Sequence, residues 1–176
     1  MLIKQSSGTG DFLKCYNQSG PGSYTQKCHV DQNGTFVSGS DFAESLPARG
    51  ARASYEAGDV LSMSVSHPGN VVKSRHARDR ALIGVYSTRP AVLGADKGGV
   101  TRVGKNEVPV AITGIVSVKV TAQSHPIRPG DLLTSSNRRG RAMYAGQNPT
   151  IGTVLGKALG QLESGTGTLK MLVMLR

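Results

Sequence analysis

Tryptophan is missing from this chain, phenylalanine occurs three times and tyrosine five times, so any core has to be built from Val, Ile, Leu, Met and Ala. Two cysteines are too few for a disulfide framework. Four histidines, His29, His67, His76 and His125, are scattered without metal-ligand spacing, and no Gly-rich phosphate loop occurs. The chain therefore offers little to an enzyme acting on an external substrate, and neither a metal nor a cofactor is expected. No apolar run approaches a membrane span, and the N-terminus lacks a basic region followed by an apolar core. The expectation is a soluble protein with no membrane span and no obvious signal peptide.

What is present is glycine, 23 of 176 residues, which describes many tight turns and favours short strands over long helices. The hydrophobic content of 38 % suffices for one ordinary domain plus an extension. The formal charge of +10 comes from clusters, notably Lys73, Arg75, Arg78 and Arg80, then Arg138, Arg139 and Arg141. Such clusters attract polyanions, including acidic glycans and lipopolysaccharide. A solvated basic face meeting acidic groups on a neighbouring subunit is the competing use. No zinc-finger spacing, ribonucleoprotein aromatic motif or basic heptad helix occurs, so specific nucleic-acid binding is not expected.

The first 40 residues read as strand, turn, strand. Asp11 to Asn17 and Ser23 to Val30 flank Ser19-Gly20-Pro21-Gly22-Ser23, and Asn33-Gly34 signals a second hairpin into Thr35-Phe36-Val37. The first turn lies midway between Cys15 and Cys28, so a cross-strand disulfide is one reading and two reduced thiols the other. This segment has too few apolar residues to stay folded alone, so it is expected to pair with other copies of the chain or with the following domain, as a fibre-like extension would.

Residues 41–54 read as a motif and connecting loop, and 55–176 as a β-barrel or sandwich. Within that domain a weak duplication is visible. Gly58-Asp59-Val60-Leu61 leads to Ile83-Gly84-Val85, and Gly130-Asp131-Leu132-Leu133 leads to Ile151-Gly152-Thr153; chance similarity between two Gly-Asp turns is the alternative. Between the copies, Val108 to Val120 predicts a strand buried on both faces with a break at Gly114, and Gly165 to Leu175 predicts a final strand in the sheet centre or at a subunit interface.

At the boundary stands Ser40-Asp41-Phe42-Ala43-Glu44, two carboxylates and a hydroxyl around one peptide bond. Self-cleavage is one reading of it. A polar turn leading into a strand is the other.

Taken with Ile83-Gly-Val-Tyr-Ser-Thr88, Pro90-Ala-Val-Leu-Gly94, Ile127-Arg-Pro-Gly-Asp-Leu-Leu133, Ile151-Gly-Thr-Val-Leu-Gly-Lys157 and Gly165-Thr-Gly-Thr168, this motif resembles the C-terminal autoproteolytic intramolecular-chaperone domain of bacteriophage tail-fibre and neck-appendage proteins. The similarity covers about residues 41–176. It implies an all-β homotrimeric virion protein, assembled in the host cytoplasm and carried on a fibre, spike or appendage beside other virion proteins. It also implies a scissile bond between Ser40 and Asp41, with Asp41 and Glu44 as catalytic carboxylates. A turn or helix start would bring both carboxylates to one side of that bond. The alternative function is a non-cleaving fibre tip or cap, a host-surface adhesin that holds acidic glycan or lipopolysaccharide through the basic clusters.

Overall fold

The computed structural model describes residues 10–94 and 106–175, and these form an all-β protein with a single short 3-10 turn at Arg52–Ser54. Two compact units divide the chain, Met1–Gly39 and Ser40–Arg176.

The first unit is a three-stranded antiparallel sheet of β1 (Leu13–Gly20), β2 (Ser23–Val30) and β3 (Phe36–Val37), in that order. Pro21 and Gly22 close the first hairpin, Gly22 at φ 74°, which suits a glycine after proline. The second connection departs from a two-residue Asn-Gly turn. Asp31 organises it, its Oδ1 accepting from the N–H groups of Asn33 and Thr35 at 2.8 Å each, while Gly34 takes the positive φ. Cys15 and Cys28 are register partners with Cα atoms 4.9 Å apart, and a disulfide joins them. No described residue of this unit is buried; Phe12, Tyr16, Tyr24 and Phe36 are all exposed.

The second unit is built on β9 (Glu107–Thr121), a 15-residue strand shared by two rings. One ring runs β4 (Asp41–Pro47), β9, β7 (Leu82–Tyr86), β5 (Val60–Met63) and β6 (Val71–Lys73), and closes through a bridge from Val71 to Ala48, just past β4. The other runs β9, β13 (Thr166–Met174), β12 (Val154–Ala158), β10 (Leu132–Ser135) and β11 (Ala142–Tyr144), and closes as a five-stranded barrel where Ala142 meets Val120. The short strand β8 (Val92–Gly94) lies parallel to β4 on its free side.

The rings are two copies of one plan, related by a shift of about 72 residues. Gly58 N–H donates to Tyr86 O and Tyr86 N–H to Asp59 O; Gly130 N–H donates to Ala158 O and Ala158 N–H to Asp131 O. The Asp59 carboxylate accepts from Glu56 N–H, and that of Asp131 from Arg128 N–H, both at 2.8 Å. Leu61 pairs with Gly84 and Leu133 with Gly156, each followed by a register shift. The structural counterpart of Ile83-Gly84-Val85 is thus Leu155-Gly156-Lys157. Ile151-Gly152-Thr153, the expected partner, lies in the preceding turn, where Gly152 takes φ 87°.

The cores repeat as well. Ala48, Tyr55, Leu61, Val71, Tyr86, Val108 and Val110 fill the first ring. Val120, Ile127, Leu133, Ala142, Ala158, Leu169 and Met171 take the matching places in the second, whose core also includes Val60 and Val85 from the first copy. The first five residues of β9 are buried on both faces, while from Thr113 to Val118 its side chains alternate around Gly114 between exposed and inward positions. It runs unbroken through Gly114, which takes φ 104°, and bulges at Ile112. Strand β13 sits centrally between β12 and β9.

Candidate functional site

Asp41 opens β4, and Ser40, the first residue of the second unit, immediately precedes it. The Ser40 carbonyl accepts the Ile115 N–H at 2.9 Å, and the Ser40 hydroxyl donates to the Ile115 carbonyl at 2.8 Å. Asp41 pairs with Gly114 and is buried, with one carboxyl oxygen, Oδ2, lacking a hydrogen-bond partner among the described residues. Burial pushes the Asp41 carboxyl above its ordinary value, opposed by a hydrogen bond with Ser87 and by the charge of Lys170. A raised value makes the ionised carboxylate a better base.

Glu44 does not join Asp41 on one side of the bond. The motif is a strand, neither a turn nor a helix start, and residues three apart on a strand point to opposite faces. Asp41, Ala43 and Ser45 are buried together on one face; Glu44 shares the other with Phe42 and Leu46, and its carboxylate lies against Gly94 of β8. Within one chain the two carboxylates therefore flank different surfaces of β4. Ser87 and Gly114, which shape the Asp41 site, are far away in sequence, and nothing in their local pattern pointed to it.

The basic residues divide by role. The Lys73 ammonium bonds Asp59 at 2.7 Å, beside Lys119 at 2.8 Å from the other oxygen of that buried carboxylate; Glu56 also contacts Lys119. Burial raises the pKa of Asp59, but the bonds from Lys119 and Lys73 and from the Glu56 N–H outweigh it and hold the carboxyl below its ordinary value. Arg141 turns inward to the carbonyls of Val120 and Gly167 at 3.3 and 3.4 Å. Arg138 donates to Gln123 at 2.7 Å. Arg78 takes φ 53°, its N–H bonded to the Ser135 carbonyl, and Arg80 is exposed.

Lys73, Arg75 and Arg139 come together on the wall of a cavity of about 640 Å³, which also takes in Arg49, Tyr55 and His76. Tyr55 anchors it, its hydroxyl donating to the carbonyls of Arg49 and Val71 at 2.8 and 3.0 Å. A smaller cavity of about 120 Å³ holds Arg138 beside His125 and Tyr144, whose rings stack 5.1 Å apart. Arg49 belongs to the first cavity but to neither sequence cluster, and its isolation in the chain left no signal. Among the described residues no group of His, Cys, Asp and Glu could hold a metal ion, and no helix is long and apolar enough to cross a membrane.

No protein-family model matches the chain, and no curated protein matches it. Among solved structures, the pre-mature form of bacteriophage phi29 gene product 12 is similar at a TM-score of 0.53 and 14 % identity, over 85 % of this chain and 24 % of that one. The chain thus spans far less than the whole length of that protein, and the likeness is one of fold. The head fibre gp8.5 N base of bacteriophage phi29 aligns at a TM-score of 0.42 and 18 % identity, over 75 % of this chain and 92 % of that one.

Proposed function

We propose that this chain is a structural protein of a phage particle, carried on a fibre, spike or appendage. In this reading the unit Ser40–Arg176 brings three chains together, and the chain then cuts itself between Ser40 and Asp41. The observation that carries the reading is the buried, partly unpartnered Asp41 carboxyl beside a pinned Ser40 carbonyl, placed where the two compact units meet in sequence. Three further facts support it. The fold resembles that of a phage protein described as pre-mature. The first unit buries none of its described residues, so it needs partners to cover Phe12, Tyr16, Tyr24 and Phe36. The same unit presents a polar, turn-rich sheet suited to pairing with copies of itself and with other virion proteins.

The cleavage chemistry needs a base, an acid and a held carbonyl. Ionised Asp41 takes a proton from a water that adds to the Ser40 carbonyl, whose oxygen the Ile115 N–H already holds at 2.9 Å. A second carboxyl gives a proton to the Asp41 nitrogen as the C–N bond breaks, leaving a carboxylate on Ser40 and an amine on Asp41. Glu44 of the same chain faces away, so a neighbouring chain supplies that carboxyl, and cutting waits for assembly.

Native and denaturing mass spectra of the parent and of Asp41→Asn, followed over days, test this. Trimers in both, with fragments 1–40 and 41–176 in the parent alone, are the expected result. Whole, monomeric chains in both samples would overturn it. A second reading, a non-cleaving tip or cap that adheres to acidic host-surface glycan or lipopolysaccharide, is favoured by the cationic cavity lined by Arg49, Arg75 and Arg139.

A further inference from the structure

The two cavities occupy the same place in the two copies of the fold. Ser64 and Ser136 stand at the start of matching loops, each hydroxyl accepting a backbone N–H at 3.2 Å, from His67 and Arg138 respectively. Val72 and Lys73 of the first cavity correspond to Met143 and Tyr144 of the second, and Arg49 corresponds to Thr121. A mouth at this position is thus a consequence of the duplicated architecture. The charge of its lining is not: where the first copy has Arg49 and Lys73, the second has Thr121 and Tyr144.

Three guanidinium groups, Arg49, Arg75 and Arg139, surround the first mouth; Arg49 contacts the His67 ring, and no ion pair joins any of the three to a carboxylate among the described residues. Arg139 and Arg75 come close enough to Tyr55 for their charges to oppose the rise that burial imposes on its hydroxyl. One carboxylate, Asp79, shares the lining, and it accepts the Ala81 N–H at 2.9 Å. The Lys73 charge is matched by Asp59. The wall therefore keeps a net excess of forked donors, the geometry that binds carboxylate and phosphate.

Two hydroxyls add a neutral polar component. Ser62 and Ser74 line the same cavity, are 2 % and 0 % exposed, and have no hydrogen-bond partner for Oγ among the described residues. Buried hydroxyls are costly to leave unmatched, and a small opening of the wall would let a ligand carrying its own hydroxyls satisfy them. The volume suits one or two sugar rings and falls within the range of small-molecule sites. We propose that this mouth is a binding site for an acidic sugar, its carboxylate or phosphate held by Arg75 and Arg139 with Arg49 alongside, and its hydroxyls met by Ser62 and Ser74. The inference rests on the adhesin reading for the source of the sugar, and on nothing in the cleavage chemistry.

The whole chain, titrated with glucuronic acid, glucose 6-phosphate, glucose and inorganic phosphate while the amide resonances of Ser62, Ser74 and Arg75 are followed, tests the site. Saturable shifts are expected with the acidic sugars, with glucose and phosphate weaker by at least about tenfold. Saturation by one acid alone also supports the site and identifies the carboxylate or the phosphate as its anion. Arg75→Gln with Arg139→Gln should abolish the response, whereas Arg80→Gln with Lys27→Gln, an equal loss of charge, should keep it; thermal unfolding of both variants checks that they fold. Saturation by phosphate as tight as by glucose 6-phosphate, a response unchanged in the first double variant, or no saturable shift with either acid would each overturn the proposal. A failure here leaves the mass-spectrometric test of trimer and cleavage standing, and the reverse also holds.

Discussion

Ser40 and Ile115 exchange two hydrogen bonds, one to the Ser40 carbonyl at 2.9 Å and one from its hydroxyl at 2.8 Å. This exchange requires the backbone of β9 to approach β4 closely at the neighbouring residue. A Cβ on Gly114 would sit 2.6 Å from Asp41 Cα, and φ at Gly114 is 104°. Gly114→Ala is therefore expected to cost about 2–4 kcal/mol in urea unfolding and to slow cleavage, while Ser40→Ala, which loses one hydroxyl bond, costs about 1 kcal/mol.

The duplicated plan makes a paired prediction. At Gly84 an added Cβ would press on the Ala111 carbonyl and come within 2.8 Å of Val110; at Gly156 it would press on the Leu172 carbonyl and come within 3.0 Å of Met171. Alanine at either should cost about 2–3 kcal/mol by urea unfolding. Gly152→Ala, in open space at φ 87°, should cost about 1 kcal/mol. Equal losses at Gly152 and Gly156 would contradict the assigned equivalence.

Asp59 sets an acid limit on stability. Its carboxyl lies below the ordinary value of 3.8, so the stabilisation it gives is present above that pH and is lost as pH falls through the lowered value. Asp59→Asn leaves Lys73 and Lys119 facing each other, and should cost about 3 kcal/mol at pH 7 and flatten the acid limb of the thermal unfolding curve.

Asp41 acts with the opposite sign. Its carboxyl lies above 3.8, so it favours the folded state below that pH, and this contribution is lost as pH rises through the raised value. Asp41→Asn should keep the Ser87 contact and remove this loss. The unfolding midpoint of the variant at pH 7 should exceed that of the parent, with the difference vanishing near pH 3; a variant less stable at both would oppose this account of the site.

Reduction of Cys15 and Cys28 should release the first hairpin. The bridge closes a short loop, and removing such a constraint costs about 3 kcal/mol where the chain is otherwise unconstrained. No described residue there is buried, so hydrogen exchange across β1 and β2 should accelerate on reduction while β9 and β13 remain protected.

Much of this fold is legible in the sequence because β-branched runs and glycine turns act locally. Val108 to Val120 and the C-terminal run declare strands, and Gly58-Asp59 and Gly130-Asp131 declare the repeat. The true partner of Gly84 was hidden because Gly156 is flanked by Leu155 and Lys157, whereas Ile151-Gly152 copies the letters of the first triplet without its pairing. The Asp31 turn was misread because its side chain does the work that Asn33 was expected to do. The candidate site was legible only as a list of residues. Whether Asp41 and Glu44 share a face depends on strand against turn, and Arg49 comes to line the same cavity as Arg139 through ring closure at Ala48 and Val71.

In the proposed function, cleavage is completed between chains. Co-expression of Asp41→Asn and Glu44→Gln chains, distinguished by mass, tests it most directly. Each variant alone is expected to stay whole, while mixed trimers cut the Glu44→Gln chain, whose intact Asp41 is served by the partner's Glu44. No fragment from the mixture, when the parent cuts under the same conditions, would contradict it.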